Sequence, residues 1–132
     1  MNTVFHDLQD PSNPVEGTTI RDRNELVSLL DNFAVREPFG CELVGENGFK
    51  LTLGIGEEVG FVQHSPSDGN TPYHLAVSIE THLVHRRVEF FVGDTPTSIP
   101  QRFCLPLETV KQVAAYFIET GDRWPGVSWE EI

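Results

Sequence analysis

The 132-residue chain has the length of a single domain, and its 39% hydrophobic and 22% charged content is that of a soluble globular fold. Twenty acidic residues against nine basic ones give a net charge of −11. That balance argues against direct DNA or RNA binding, which depends on cations neutralising phosphates.

Residues 1–14 hold two prolines and several small polar residues and read as a loose N-terminal arm, with one domain following over 15–132. Their start lacks the basic flank and apolar stretch of a secretory signal. Residues 15–20 suit a short edge strand. Asp22 is placed to cap a helix, with Glu25 three residues on in a capping-box arrangement. Leu26, Leu29, Leu30 and Phe33 then fall on one helical face, and Pro38-Phe39-Gly40 closes the element.

From 41 to 92 the period changes to two. Phe49, Leu51, Leu53 and Ile55 alternate with Lys50, Thr52 and Gly54; Tyr73, Leu75, Val77 and Ile79 alternate with more polar neighbours; Val88, Phe90 and Val92 repeat the pattern. Turn signals separate the segments at Glu46-Asn47-Gly48, Gly56-Glu57-Glu58, 65–70 and Gly93-Asp94. Short connections between alternating strands predict an antiparallel meander of about five or six strands with one buried face. A second helix supplies its cover: Pro106 suits the first helical position, Leu107, Val110, Ala114 and Phe117 form a stripe, and Gly121 ends it. The tail carries Trp124, Trp129 and Ile132 and is too apolar to stay solvated, so it is expected to pack back. The fold class is α+β, one sheet with two helices.

The chain offers little to a chemist. His82 and His85, three apart, fall on opposite faces if they lie on a strand and can converge only if the strand has already turned; third and fourth ligands are missing, so no metal site is expected. Cys41 and Cys104, the only cysteines, form no metal motif and suit a reduced cytoplasmic setting as small buried residues; whether they pair is left open. The glycines of 54–60 have the wrong spacing for a phosphate loop, and Glu57 and Glu58 would repel phosphate. No catalytic dyad or triad can be assembled without arbitrary choice. No cofactor is implied, and an enzyme is unsupported, though His74, His82 or His85 with a carboxylate stays a third reading.

Charge is more informative. No basic residue stands between Lys50 and Arg86, whereas Glu57, Glu58, Asp68 and Glu80 do. Three of these fall in turns or at strand ends, where they can line a negative rim for a basic groove; a solvated set of loops explains them equally well. An anionic surface suits a basic protein partner and speeds association more than it tightens binding. The alternative reading is that the charge only keeps the protein soluble.

The C-terminal third resembles a known family. Leu105-Pro106-Leu107-Glu108, Ala114-Ala115-Tyr116-Phe117, Thr120-Gly121-Asp122-Arg123 and Val127-Ser128-Trp129-Glu130 are similar to the first numbered class of immunity proteins in bacterial polymorphic toxin systems. Upstream, residues 49–60 and the helix around Asn24-Glu25-Leu26 also resemble that class, so the likeness covers about 15–132. One departure is Trp124, which separates Arg123 from Pro125 where the family pattern has Arg-Pro. The resemblance implies an α+β inhibitor, encoded beside a toxin gene, whose partner is the cognate toxin inside the producing cell. Such toxins often target nucleic acid, cytidine deaminases and nucleases among them. The chain lacks both His-x-Glu and Pro-Cys-x-x-Cys of a zinc deaminase, so within such a pair it resembles the inhibitor half. Glu57, Glu58, Asp68, Glu80 and Trp124 are the candidate toxin contacts, with Gly121, Trp129 and Glu130 as structural motif residues. A protein-binding module of the same fold, without a toxin, is the alternative.

Overall fold

A computed structural model of the chain describes residues 2–8, 12–33, 39–55, 59–77, 87–92 and 95–132. Among them, strands β1 (Thr3–Asp7), β2 (Thr19–Ile20), β3 (Phe39–Gly45), β4 (Phe49–Ile55), β5 (Val59–Pro66) and β6 (His74–Val77) join β9 (Leu105–Pro106) and β10 (Ser128–Glu131) in one eight-stranded antiparallel sheet. The strand order is β10-β6-β5-β4-β3-β1-β2, with β9 alongside β5. Strands β7 (Arg87–Val92) and β8 (Thr95–Pro100) form a separate hairpin. Helices α1 (Arg23–Phe33) and α2 (Leu107–Thr120) pack on each other and on one sheet face. The fold is α+β with more strands than the turn signals predict. The additional strands are β1 in the N-terminal segment, the short β9 and β10, and β8, which pairs with β7 after the turn signal at Gly93-Asp94. The helical facing of Phe33 and the strand facing of Val88, Phe90, Val92 and Ile79 lie outside the described side chains.

Local chemistry accounts for the helices. Asp22 Oδ1 accepts the Glu25 backbone N–H at 2.9 Å, and Glu25 Oε2 reaches back to the Arg21 N–H at 3.2 Å, a reciprocal cap that satisfies otherwise orphaned donors. Pro106 sits one residue earlier than expected: it is the N-cap, with φ −54° and ψ 145°, and α2 begins at Leu107. Gly121 ends α2 in the left-handed region at φ 78°, its N–H returning to the Phe117 carbonyl at 2.6 Å.

Register decides the faces. Phe5 lies opposite Leu43, Leu43 opposite Leu51, Leu53 opposite Val62, and Trp129 opposite Ala76. These side chains, with Leu26 and Leu30 of α1 and Val110, Val113, Ala114, Phe117 and Ile118 of α2, make the main core under the helices. The other face is not bare. Phe61 and Leu75 are buried there with Ile99, Phe103 and Cys104, and Val77 packs against the group. Leu75 and Val77 therefore alternate as expected but turn away from the helices, because both sides of the sheet are covered in this region.

The loose arm expected over 1–14 does not describe Thr3–Asp7, which is strand β1 between β2 and β3. Side-chain hydrogen bonds tie the following loop to it. Glu16 Oε1 accepts the Asp7 N–H at 2.6 Å, Glu16 Oε2 meets His6 Nδ1 at 2.7 Å, and Asn13 Nδ2 donates to Asp7 Oδ2 at 2.8 Å. Among the described residues no helix is long and apolar enough to cross a membrane.

Candidate functional site

The tail folds back as an ordered unit at the end of α2. Thr120 Oγ1 accepts the Asp122 N–H at 3.2 Å, and Asp122 Oδ1 accepts the Arg123 N–H at 2.8 Å. The Trp129 indole Nε1 then donates to the Trp124 carbonyl at 2.9 Å, closing the turn that holds Pro125 and Gly126. A Cβ on Gly126 would run into the Trp124 ring, so only glycine lets that ring lie over the turn. Trp124 and Trp129 are both half-buried against the main core. Glu130 forms a two-pronged ion pair with Arg102 at 2.9 and 3.0 Å, and that guanidinium lies 4.4 Å from the centre of the Phe103 ring. The motif residues Gly121, Trp129 and Glu130 thus make contacts internal to the fold.

Beside this tail, the register brings together residues that no sequence pattern connects. His64 of β5 lies opposite His74 of β6, and His74 lies opposite Glu131 of β10. His64 is only 6% exposed. Its ring stacks on Phe49 at 5.0 Å between centroids and meets Phe117 and Trp129 edge-on at 5.9 and 6.4 Å. Its Nε2 has no hydrogen-bond partner. Burial lowers the His64 pKa below the ordinary imidazole value, Arg123 and His74 act in the same direction, and the Gly121 carbonyl and Asp122 oppose them. Phe49, His64, Pro72, His74, Asp122 and Arg123 line an open cavity of about 360 Å³ at this end of the sheet.

The lowered pKa has a consequence for stability. The unfolded chain takes up a proton on His64 more readily than the folded one, so stability is complete above the ordinary pKa of 6.5 and is lost as pH falls below it. Denaturant unfolding between pH 7.5 and 5 should show this slope, and His64→Gln should reduce it. An unchanged slope would mean that His64 titrates alike in both states.

The other expected positions are dispersed. Asp68 is exposed in the turn between β5 and β6, its carboxylate accepting from the Asn70 backbone at 2.9 Å and side chain at 3.0 Å. It stands at the Phe49–Pro66 end of the sheet. Ile55 and Val59, which bracket Glu57 and Glu58, stand at the opposite end. Glu57, Glu58 and Glu80, like His82, His85 and Arg86, lie outside the described residues. Cys41 and Cys104 are free and buried in different clusters. Burial raises the Cys104 thiol to about 11 and the Cys41 thiol further still, so neither is a thiolate at neutral pH. Among the described residues no group of three or more His, Cys, Asp or Glu side chains is arranged to hold a metal.

The family model described as Immunity protein Imm1 matches residues 14–131. The chain belongs to the Imm1 family of immunity proteins. No curated protein matches it. Membership makes this Imm1 chain an immunity protein against a toxin, and its partner a cognate toxin protein. Strand β1 precedes the matched segment yet completes the sheet, pairing β2 with β3.

Proposed function

We propose that this immunity protein neutralises a nucleic-acid-targeting toxin, a cytidine deaminase or nuclease, in the cytoplasm of the cell that makes both. It does so by stoichiometric binding and performs no reaction itself. The observation that carries the reading is the charge of −11 on an Imm1 chain. An enzyme acting on nucleic acid presents a basic substrate channel, and an anionic protein both is steered to it and competes with the phosphates that belong there. Glu57, Glu58, Asp68 and Glu80 are the acids we assign to long-range steering of that approach and not to one contiguous rim, since Asp68 stands at the Phe49–Pro66 end of the sheet and Ile55 and Val59 at the other. Trp124 adds apolar contact at its exposed edge. Neither direct nucleic-acid binding nor a membrane enters this mode of action.

Association kinetics test it. Replacing Glu57 and Glu58 together by lysine should slow association with the toxin domain by about tenfold at low salt and flatten its dependence on ionic strength. Unchanged kinetics would remove those two acids from the docking face.

A further inference from the structure

The cavity beside the α2 C-terminus is not used by the fold itself, and its lining indicates an occupant. His64, 6% exposed, forms part of the lining, and its Nε2 has no hydrogen-bond partner. An unpaired polar atom at such depth is unfavourable unless something outside the chain satisfies it. Phe49, one of the two large hydrophobic side chains exposed among the described residues, stacks on the same imidazole and lines the cavity. The other, Ile132, is tied by its N–H to the Tyr73 carbonyl, between the lining residues Pro72 and His74. Exposed apolar surface and an unsatisfied buried nitrogen therefore meet at one end of the sheet.

Charge selects the class of occupant. Helix α2 points its C-terminus at the cavity with no basic residue in its last turn; the Asn47 side chain donates to the Gly121 carbonyl at 2.9 Å, and Arg123 stands in the lining beyond it. Asp122 lines the cavity. Exposed Glu46 and Glu119 adjoin the lining residues Asn47 and Thr120 in the chain, and exposed Glu131 lies opposite His74. Asp68 is in the turn beyond Pro66, which faces Phe49. In the lining itself Asp122 faces one fixed cation, Arg123; next to it stand four further carboxylates and one lysine, Lys50, which is already paired with Glu42 at 2.6 Å. A neutral imidazole contributes a bare nitrogen that accepts a hydrogen bond.

We infer that this cavity receives a lysine or arginine side chain of the toxin, its alkyl stem against Phe49 and Pro72 and its charged head toward His64, Asp122 and the carbonyl end of α2. The inference rests on the immunity-protein reading for its partner and on the cavity for its chemistry. A basic side chain suits the site in both parts, since long cationic residues bury their stems on apolar surface and keep the head among acceptors. Aromatic Phe49 adds attraction for the cation.

Two measurements separate the inference from the function on which it rests. In the first, N-acetyl-argininamide, N-acetyl-lysinamide and the corresponding glutamate amide are titrated into the whole protein while the His64 imidazole and Trp129 indole signals are followed by NMR. Saturable shifts are expected with one or both basic amides, weakened at least fivefold in Phe49→Ala and Asp122→Asn. Equal or stronger shifts with the glutamate amide, or no saturable shift with any, would overturn the inference. In the second, the same two variants are compared with wild type for binding to the cognate toxin domain, with folding checked by the unchanged indole spectrum. A tenfold or greater loss supports the cavity as a docking site. Unchanged affinity overturns it and leaves the inhibitor reading standing. Failure of the wild type to bind any toxin would instead remove the inhibitor reading, and the amide titration would still decide the chemistry of the cavity.

Discussion

Phe117→Ala should destabilise the protein by about 3–5 kcal/mol, a large part of the roughly 5–15 kcal/mol by which small domains are stable. Phe117 is completely buried on α2, and its ring meets His64 edge-on at 5.9 Å. Truncation removes the apolar area that seats α2 on the sheet and leaves a void that the surrounding strands can collapse into only partly, because their register is fixed on both sides. Urea unfolding measures it. The same variant should let the His64 pKa return toward its ordinary value, as the imidazole loses part of the cover that lowers it. A loss below about 1 kcal/mol would mean that α2 is not held on the sheet by this residue.

Gly60→Ala is the second change with a large expected effect, about 2–3 kcal/mol. Gly60 lies opposite Ile55 in the β4–β5 ladder, on the face that carries Val62 and His64 beneath α2. A Cβ there would collide with the Gly54 carbonyl oxygen and come within 3.1 Å of Val110 Cγ2. The oxygen belongs to backbone, so relief requires displacing the strand and not merely rotating a side chain. Thermal or urea denaturation should show a lower midpoint. A neutral result would mean that the β4–β5 ladder yields at Gly54 without cost. Gly54 has a packing reason too, since a Cβ on it would run into the Phe61 ring.

How far the sequence discloses this structure differs from element to element. The Asp22 and Glu25 pair, the α2 stripe and Gly121 act within a few residues of themselves, so the start of α1 and both limits of α2 were readable to within a residue. The apolar tail was equally open to inspection, and Trp124, Val127 and Trp129 do pack against the main core. Strand β1 was hidden because its inward set is Thr3, Phe5 and Asp7, two of them polar. Asp7 is tolerated inside by the hydrogen bond from Asn13, a partner in a loop that a hydropathy pattern does not show. The facing of Leu75 was misjudged for a different reason. Alternation states that successive residues face opposite ways, and it cannot choose a side when both are buried. The cavity was beyond reach altogether: Phe49, His64, His74 and Glu131 come from four strands and meet only through the registers of β4, β5, β6 and β10. The family motif was readable, and the matching of 14–131 to Imm1 agrees with the extent of the resemblance.

The most direct test of inhibition is to capture the tagged protein from its own cells at high salt and assay what is retained. The account predicts a toxin domain at near one-to-one ratio, whose action on DNA or RNA stops when one equivalent of the purified protein is added back. Retention of an unrelated regulator alone, or a toxin whose activity persists with excess protein, would contradict it.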